Sequence, residues 1–291
     1  MTYKMSMYGL KTILITYLNK NPKLEEAIQI ALENRFIDLS SVLTKYNSRT
    51  DYFKLASVET FHELEENLIE LTKNELNYIY NLLPEPYSKF FKTFLMIYDF
   101  DLIYNSIMSS KHLTEIRPRF LESLESKEMN VYTFCTKEKI YECLLLTFLR
   151  KIRSDLKMLE QQRIFREDCS KTFGCIGLLI ASRYLKHIYN LEKLGFATDS
   201  IDSFIKQIVL IANLDGITQY QLDNFVKRFY DIIKSHPNTA TIYEAQHVYS
   251  KCKDLLALST QVIDLLTLYL VNRYYEMYVL KYILPISWVY K

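Results

Sequence analysis

Three stretches of this chain space their apolar residues as one face of a helix does, and the three can be overlaid in a single register. They are residues 91–103, 179–191 and 268–280. Phe91 then coincides with Leu179 and Leu268, Ile97 with Leu185 and Tyr274, and Ile103 with Leu191 and Leu280. One place in the overlay is polar throughout: Asp99, His187 and Glu276, with His187 lying 88 residues after Asp99 and Glu276 lying 89 after His187. A recurrence near ninety residues predicts repeated helical units, because an overlooked repeat changes the whole fold assignment.

The rest of the sequence agrees with a helical protein. Only 5 glycines and 6 prolines occur in 291 residues. A sheet protein needs many turns and therefore turn residues, so the scarcity predicts long helices. With 49% hydrophobic and 24% charged residues the chain has material for a sizeable core and is far from a disordered profile. Its 24 tyrosines and 16 phenylalanines supply large buried faces, the tyrosines with a polar tip.

The expected helices follow from breaks and caps. The first uses Leu10, Ile13, Leu14, Tyr17 and Leu18; Asn21-Pro22 ends it, and residues 23–36 form the next. Asp38-Leu39-Ser40-Ser41 caps a short helix to Tyr46, and Ser57 starts a longer one that stops at Pro84. Further helices are expected over 90–108, 137–166, 172–194, 199–213, 218–234, 241–258 and 261–284. Gly195 stands at a C′ position, Thr218 with Gln221 caps a start, and Pro285 stops the last helix. Residues 129–134 tolerate a strand but have nothing to pair with.

Net charge is +2 with signs interspersed, which gives no basic face for nucleic acid and no polybasic membrane anchor. Residues 1–18 lack the ordered charged end, apolar run and cleavage site of a signal peptide. No stretch reaches the ~20 uncharged apolar residues of a membrane span. The five cysteines (135, 143, 169, 175, 252) are odd in number, form no CxxC pair and read as buried, reduced thiols of a cytosolic protein.

Reactive constellations are missing from the pattern. There is no GxSxG and no cysteine nucleophile signature. Gly174-Cys175-Ile176-Gly177 lacks the strand, lysine and third glycine of a phosphate cradle and reads as close helix packing. Glu244 and His247 form one ExxH pair, whereas a di-iron bundle needs two plus further glutamates, so the pair reads as solvated or facing a partner. The acidic run 59–70 and the cluster Arg150-Lys151-Ile152-Arg153 read as solvated helix faces, the latter weakly suited to an acidic partner. No enzyme, cofactor or metal site is expected.

Two of the runs resemble a known family. Asn81-Leu82-Leu83-Pro84-Glu85-Pro86-Tyr87, continuing through Phe90-Phe91 to Tyr98-Asp99-Phe100-Asp101-Leu102-Ile103, is similar to the first-repeat signature of the central-stalk C subunit of archaeal-type rotary ATPases, called d in the vacuolar enzyme. That signature reads Leu-Pro-Glu-Pro, a long apolar helix, then Tyr-Asp-x-x-Asn-(Ile/Leu). Residues 265–280, through Tyr275, Glu276 and Val279, look like the same family's last repeat, where the helix leads into Glu-x-x-Asn-Leu. The chain departs from the pattern in places. The family asparagine survives as Asn190, while Leu102 and Val279 replace it elsewhere; His187 stands where an acid is expected; the aromatic opening shrinks to Tyr8-Gly9-Leu10-Lys11.

The resemblance implies an all-α fold of three related helical units in a pseudo-threefold, funnel-like arrangement, with boundaries at 1–110, 111–196 and 197–291. It implies a non-catalytic rotor subunit that seats the shaft subunits D and F on the membrane rotor ring of c/K-type subunits, at the cytoplasmic face of the membrane. Torque then passes between ATP synthesis or hydrolysis and ion translocation. No nucleic acid, small-molecule substrate or cofactor is implied. Tyr98, Asp99, Leu102, His187, Asn190, Tyr275, Glu276 and Val279 become structural signature positions. The alternative is a helical repeat scaffold or adaptor unrelated to ATPases.

Overall fold

In the computed structural model the protein is described at residues 6–19, 23–32, 55, 60–108, 120, 139–161, 167–195, 201–256 and 258–288. These residues form helices and turns, with no strand among them. The helices are α1 (Met7–Asn19), α2 (Lys23–Leu32), α3 (Phe61–Leu82), α4 (Tyr87–Leu95), α5 (Phe100–Met108), α6 (Ile140–Glu160), α7 (Ser170–Lys193), α8 (Ile201–Ala212), α9 (Gly216–Ser235), α10 (Ala240–Leu256) and α11 (Val262–Trp288). The expected helix at 38–46, the loop after it and residues 129–134 lie outside the described residues.

The chain gathers into two compact units. One is Met1–Leu83 together with His236–Lys291, and the other is Pro84–Ser235. The cuts therefore follow Leu83 and Ser235, whereas the boundaries expected from the repeat stand at 110/111 and 196/197. The physical reason is that the first helices of the chain pack against the last: α11 is contacted by α1, α2, α3 and α10.

Each unit is built around one helix buried on every side. In the first, all side chains from Val262 to Met277 are buried. Apolar residues all round the helix leave it no solvated face, and such a helix must be covered. In the second, every residue from Thr172 to Leu185 on α7 is buried, with α6, α8 and α9 packed around it. Gly177 brings α8 in close, because a Cβ built there would sit 3.4 Å from Ile208 Cγ2. Of the glycine pair, Gly177 packs closely, as its sequence suggests.

Local chemistry sets the helix ends, in places not where the sequence pattern puts them. The cap of α3 is Thr60 rather than Ser57: its side chain accepts from the Glu63 amide while the Glu63 carboxylate accepts from the Thr60 amide, each at 3.2 Å. Leu83 ends α3 in an extended conformation, which the following proline favours. The expected single helix over 90–108 is two, α4 and α5. Between them the amides of Met96, Ile97 and Tyr98 each reach back three residues, tightening the turn before Phe100 restarts the helix. Gly195 has φ 79°, the left-handed C′ position, and Asn213 has φ 51° just after α8. The cap of α9 is Asp215, whose carboxylate accepts from the Thr218 amide at 2.7 Å, so Thr218 is the third residue of the helix and not its cap. The last helix runs through Pro285 to Trp288; a proline in a helix removes one amide donor and does not always stop it.

Candidate functional site

A long buried helix can admit a charged residue only if a partner reaches it. In the first unit α11 buries Asp264, Arg273 and Glu276, the last two beside each other. The Arg273 Nε lies 2.7 Å from Glu75 Oε1 of α3, and its Nη1 pairs with Glu276 one turn on. Tyr269, one turn before, donates its hydroxyl to the same Glu75 oxygen at 2.8 Å, and the Arg273 guanidinium lies 5.8 Å from the Tyr269 ring centroid. Lys281 Nζ meets Glu65 Oε1 at 2.8 Å. Rising residue numbers on α3 thus meet falling numbers on α11, an antiparallel polar seam. Tyr275 donates to Glu244 of α10 at 3.2 Å.

The second unit has a smaller version on α7. Arg183, nearly buried, holds Asp101 of α5 at 2.6 Å and lies 5.0 Å over the Phe100 ring. One turn further, His187 stacks on Tyr141 of α6, with ring centroids 4.0 Å apart and planes 8° from parallel, while Tyr104 meets it edge-on at 5.7 Å. Burial among these rings pushes the His187 imidazole down to about 4, so it is neutral at physiological pH. Tyr87 of α4 donates to Glu167 at 2.7 Å; burial first, and that acidic partner second, raise its hydroxyl far above the ordinary tyrosine value.

Each signature residue has its own setting. Tyr98 is buried with its ring centroid 4.8 Å from that of Phe120. Asp99 is buried in the turn before α5, its carboxylate accepting from the Phe120 amide at 2.9 Å. Leu102 is half-buried, Asn190 exposed, and Tyr275 and Val279 are buried. His187 and Glu276 sit inside long helices, whereas Asp99 sits at a helix junction, so the three overlaid positions differ in local structure.

Several surface readings need correction. Glu244 is 2% exposed and faces Tyr275, so it is neither solvated nor half of a ligand pair; His247 is half-buried, and burial lowers its pKa. Arg153 does not point outward: its Nη1 donates to the Ala212 carbonyl at 2.6 Å, at the end of α8, and its guanidinium lies 5.0 Å over Phe173. The acidic face of α3 is largely exposed, as expected. The reading of all cysteines as reduced thiols fails too, since Cys143, Cys175 and Cys252 are disulfide-bonded. Cys169 keeps its thiol, with Sγ 3.8 Å from the Leu156 carbonyl.

The overlay did not single out Arg273, Glu75, Arg183 or Asp101. A signal was available: Arg183 and Arg273 interrupt otherwise apolar runs, and a cation there demands an acidic partner. Which acid answers is set by packing and not by spacing. Among the described residues no group of three or more His, Cys, Asp or Glu side chains could hold a metal ion, and no helix is long and apolar enough to cross a membrane. What the geometry defines is an all-helical protein whose charged groups hold helices together. No protein family, curated protein or solved structure matches the chain.

Proposed function

We propose that this chain is a non-catalytic central-stalk subunit of an archaeal-type rotary ATPase, seating the D and F shaft on the membrane rotor ring at the cytoplasmic face. The observation that carries the proposal is the use made of the two resembling runs. Tyr98 and Asp99 of the first are buried and pinned to Phe120, and Glu276 of the last is buried and paired with Arg273. These side chains serve packing, as signature positions of a torque-transmitting body should. A stiff helical body with few glycines suits that work. In its full form the proposal includes three related units, 1–110, 111–196 and 197–291, arranged with pseudo-threefold symmetry as a funnel.

The test is co-purification. A solubilised membrane preparation from the source cells, pulled down through this chain, should bring the rotor ring and both shaft subunits with it. A preparation in which the chain tracks with none of them ends the proposal.

A second reading, a helical scaffold or adaptor unrelated to ATPases, is favoured by two observations. The compact units divide the chain in two, with the second inserted into the first. Asp99, His187 and Glu276 occupy unlike local structures. Under this reading the same pull-down returns soluble partners and no ring.

A further inference from the structure

We propose that folding of this chain is coupled to thiol oxidation: Cys143, Cys175 and Cys252 enter the folded state as disulfides that tie the helices bearing them to other segments, and the working protein is the oxidised one. The three lie on α6, α7 and α10, and all three are disulfide-bonded. None of these helices contains a second cysteine, so each bond reaches off its own helix and ties it to another segment. Cys175 and Cys252 are wholly buried and Cys143 half-buried. Burial alone does not select them, because Cys169 is equally buried and keeps its thiol.

The chemistry fixes the timing. A cysteine thiolate attacks a disulfide of an oxidant of the thioredoxin or glutathione class, giving a mixed disulfide and one released thiol. A second cysteine thiolate then attacks that mixed disulfide at the protein sulfur and expels the other thiol. The two protein thiols give up two electrons and two protons, and the oxidant's two sulfurs take up both, leaving as two thiols. An oxidant cannot reach Cys175 or Cys252 in the folded protein, so the bonds form before or during closure of the core. The same burial then shields them from reductants. Cross-links of this kind stabilise chiefly by limiting the unfolded chain. They are at home in an oxidising compartment, or in the cytosol of a hyperthermophile. The inference concerns redox state and stands whether or not the rotor reading does.

Cells should be broken in excess N-ethylmaleimide, and the full chain then unfolded in the same reagent, digested and mapped before and after dithiothreitol. Cys169 should be alkylated at once, and Cys143, Cys175 and Cys252 only after reduction. Full reduction in denaturant followed by refolding under reductant should lower Tm by about 5–10 °C or prevent refolding. Alkylation of the three cysteines without reductant, or coincident melts of oxidised and reduced chain, overturns the proposal.

Discussion

Arg273 and Glu276, one turn apart on a helix with no solvated face, form an ion pair in which each side chain is only 2% exposed. Glu75, 14% exposed, shares the same guanidinium at 2.7 Å. Removing the cation would leave two acids desolvated beside one another. Arg273→Met is therefore expected to destabilise the protein by about 3–5 kcal/mol, the cost of breaking a buried pair. Combining it with Glu75→Gln and Glu276→Gln should recover most of that loss, since the charges left behind are the main penalty. The Arg273 Nη2 meets no hydrogen-bond partner among the described residues, which further limits what the native cluster contributes. Urea unfolding of the single and triple variants checks this; equal losses in both would refute a charge-driven account.

The capping box of α3 gives a smaller and more local expectation. Thr60→Ala should cost about 1 kcal/mol, and Glu63→Ala added to it should cost less than the sum of the two singles, because the bonds are reciprocal. Amide exchange should rise in the first turn of α3 and leave its centre unchanged. Additive losses would mean that the two bonds do not cooperate.

Two glycines should respond in opposite ways to the same change. Gly195 stands at φ 79°, where an L side chain is strained, so Gly195→Ala should destabilise by about 1 kcal/mol. Gly177 lies inside α7, and a Cβ there meets Ile208 Cγ2 at 3.4 Å, the near edge of ordinary contact. The helix propensity gained by Gly177→Ala, up to about 1 kcal/mol, should offset that crowding and leave Tm nearly unchanged. A large loss for Gly177→Ala would mean that α7 and α8 cannot part by even a few tenths of an ångström.

The helical class was legible from the scarcity of glycine and proline and from the 3.6-residue spacing, because both are local properties. So were the stop at Leu83 and the C′ glycine at 195. The caps at Thr60 and Asp215 were missed because neighbouring residues offered equally plausible patterns and only backbone geometry selects among them. The break between Leu95 and Phe100 was invisible because the apolar spacing continues through it. The site was harder to read. Glu75 and Arg273 are far apart in sequence, and nothing short of the folded α3–α11 seam pairs them. The overlay of Asp99, His187 and Glu276 compared spacing alone, which cannot separate a helix interior from a helix start.

His187 provides a test of pH dependence. Its folded pKa, near 4, lies below the ordinary histidine value of 6.5 because burial disfavours the charged ring. The unfolded chain therefore takes up a proton that the folded one refuses as pH falls through 6.5. Stability should be full above that value, decline between about pH 6.5 and 4, and change no further from this group below pH 4. The ring is not wholly buried, so solvent screening reduces the effect to on the order of 1–2 kcal/mol. The groups facing it are the Tyr104 and Tyr141 rings, with Arg183 one turn away engaged by Asp101. The measurement is a difference between two proteins, so that the contribution of every other group cancels. Unfolding free energies of wild type and His187→Phe are compared from pH 8 to pH 4, where the aromatic replacement keeps the stack on Tyr141. The wild-type curve should fall relative to the variant's through that window. Parallel curves would place the imidazole in a solvated, ordinary setting and would contradict its packing between α5, α6 and α7.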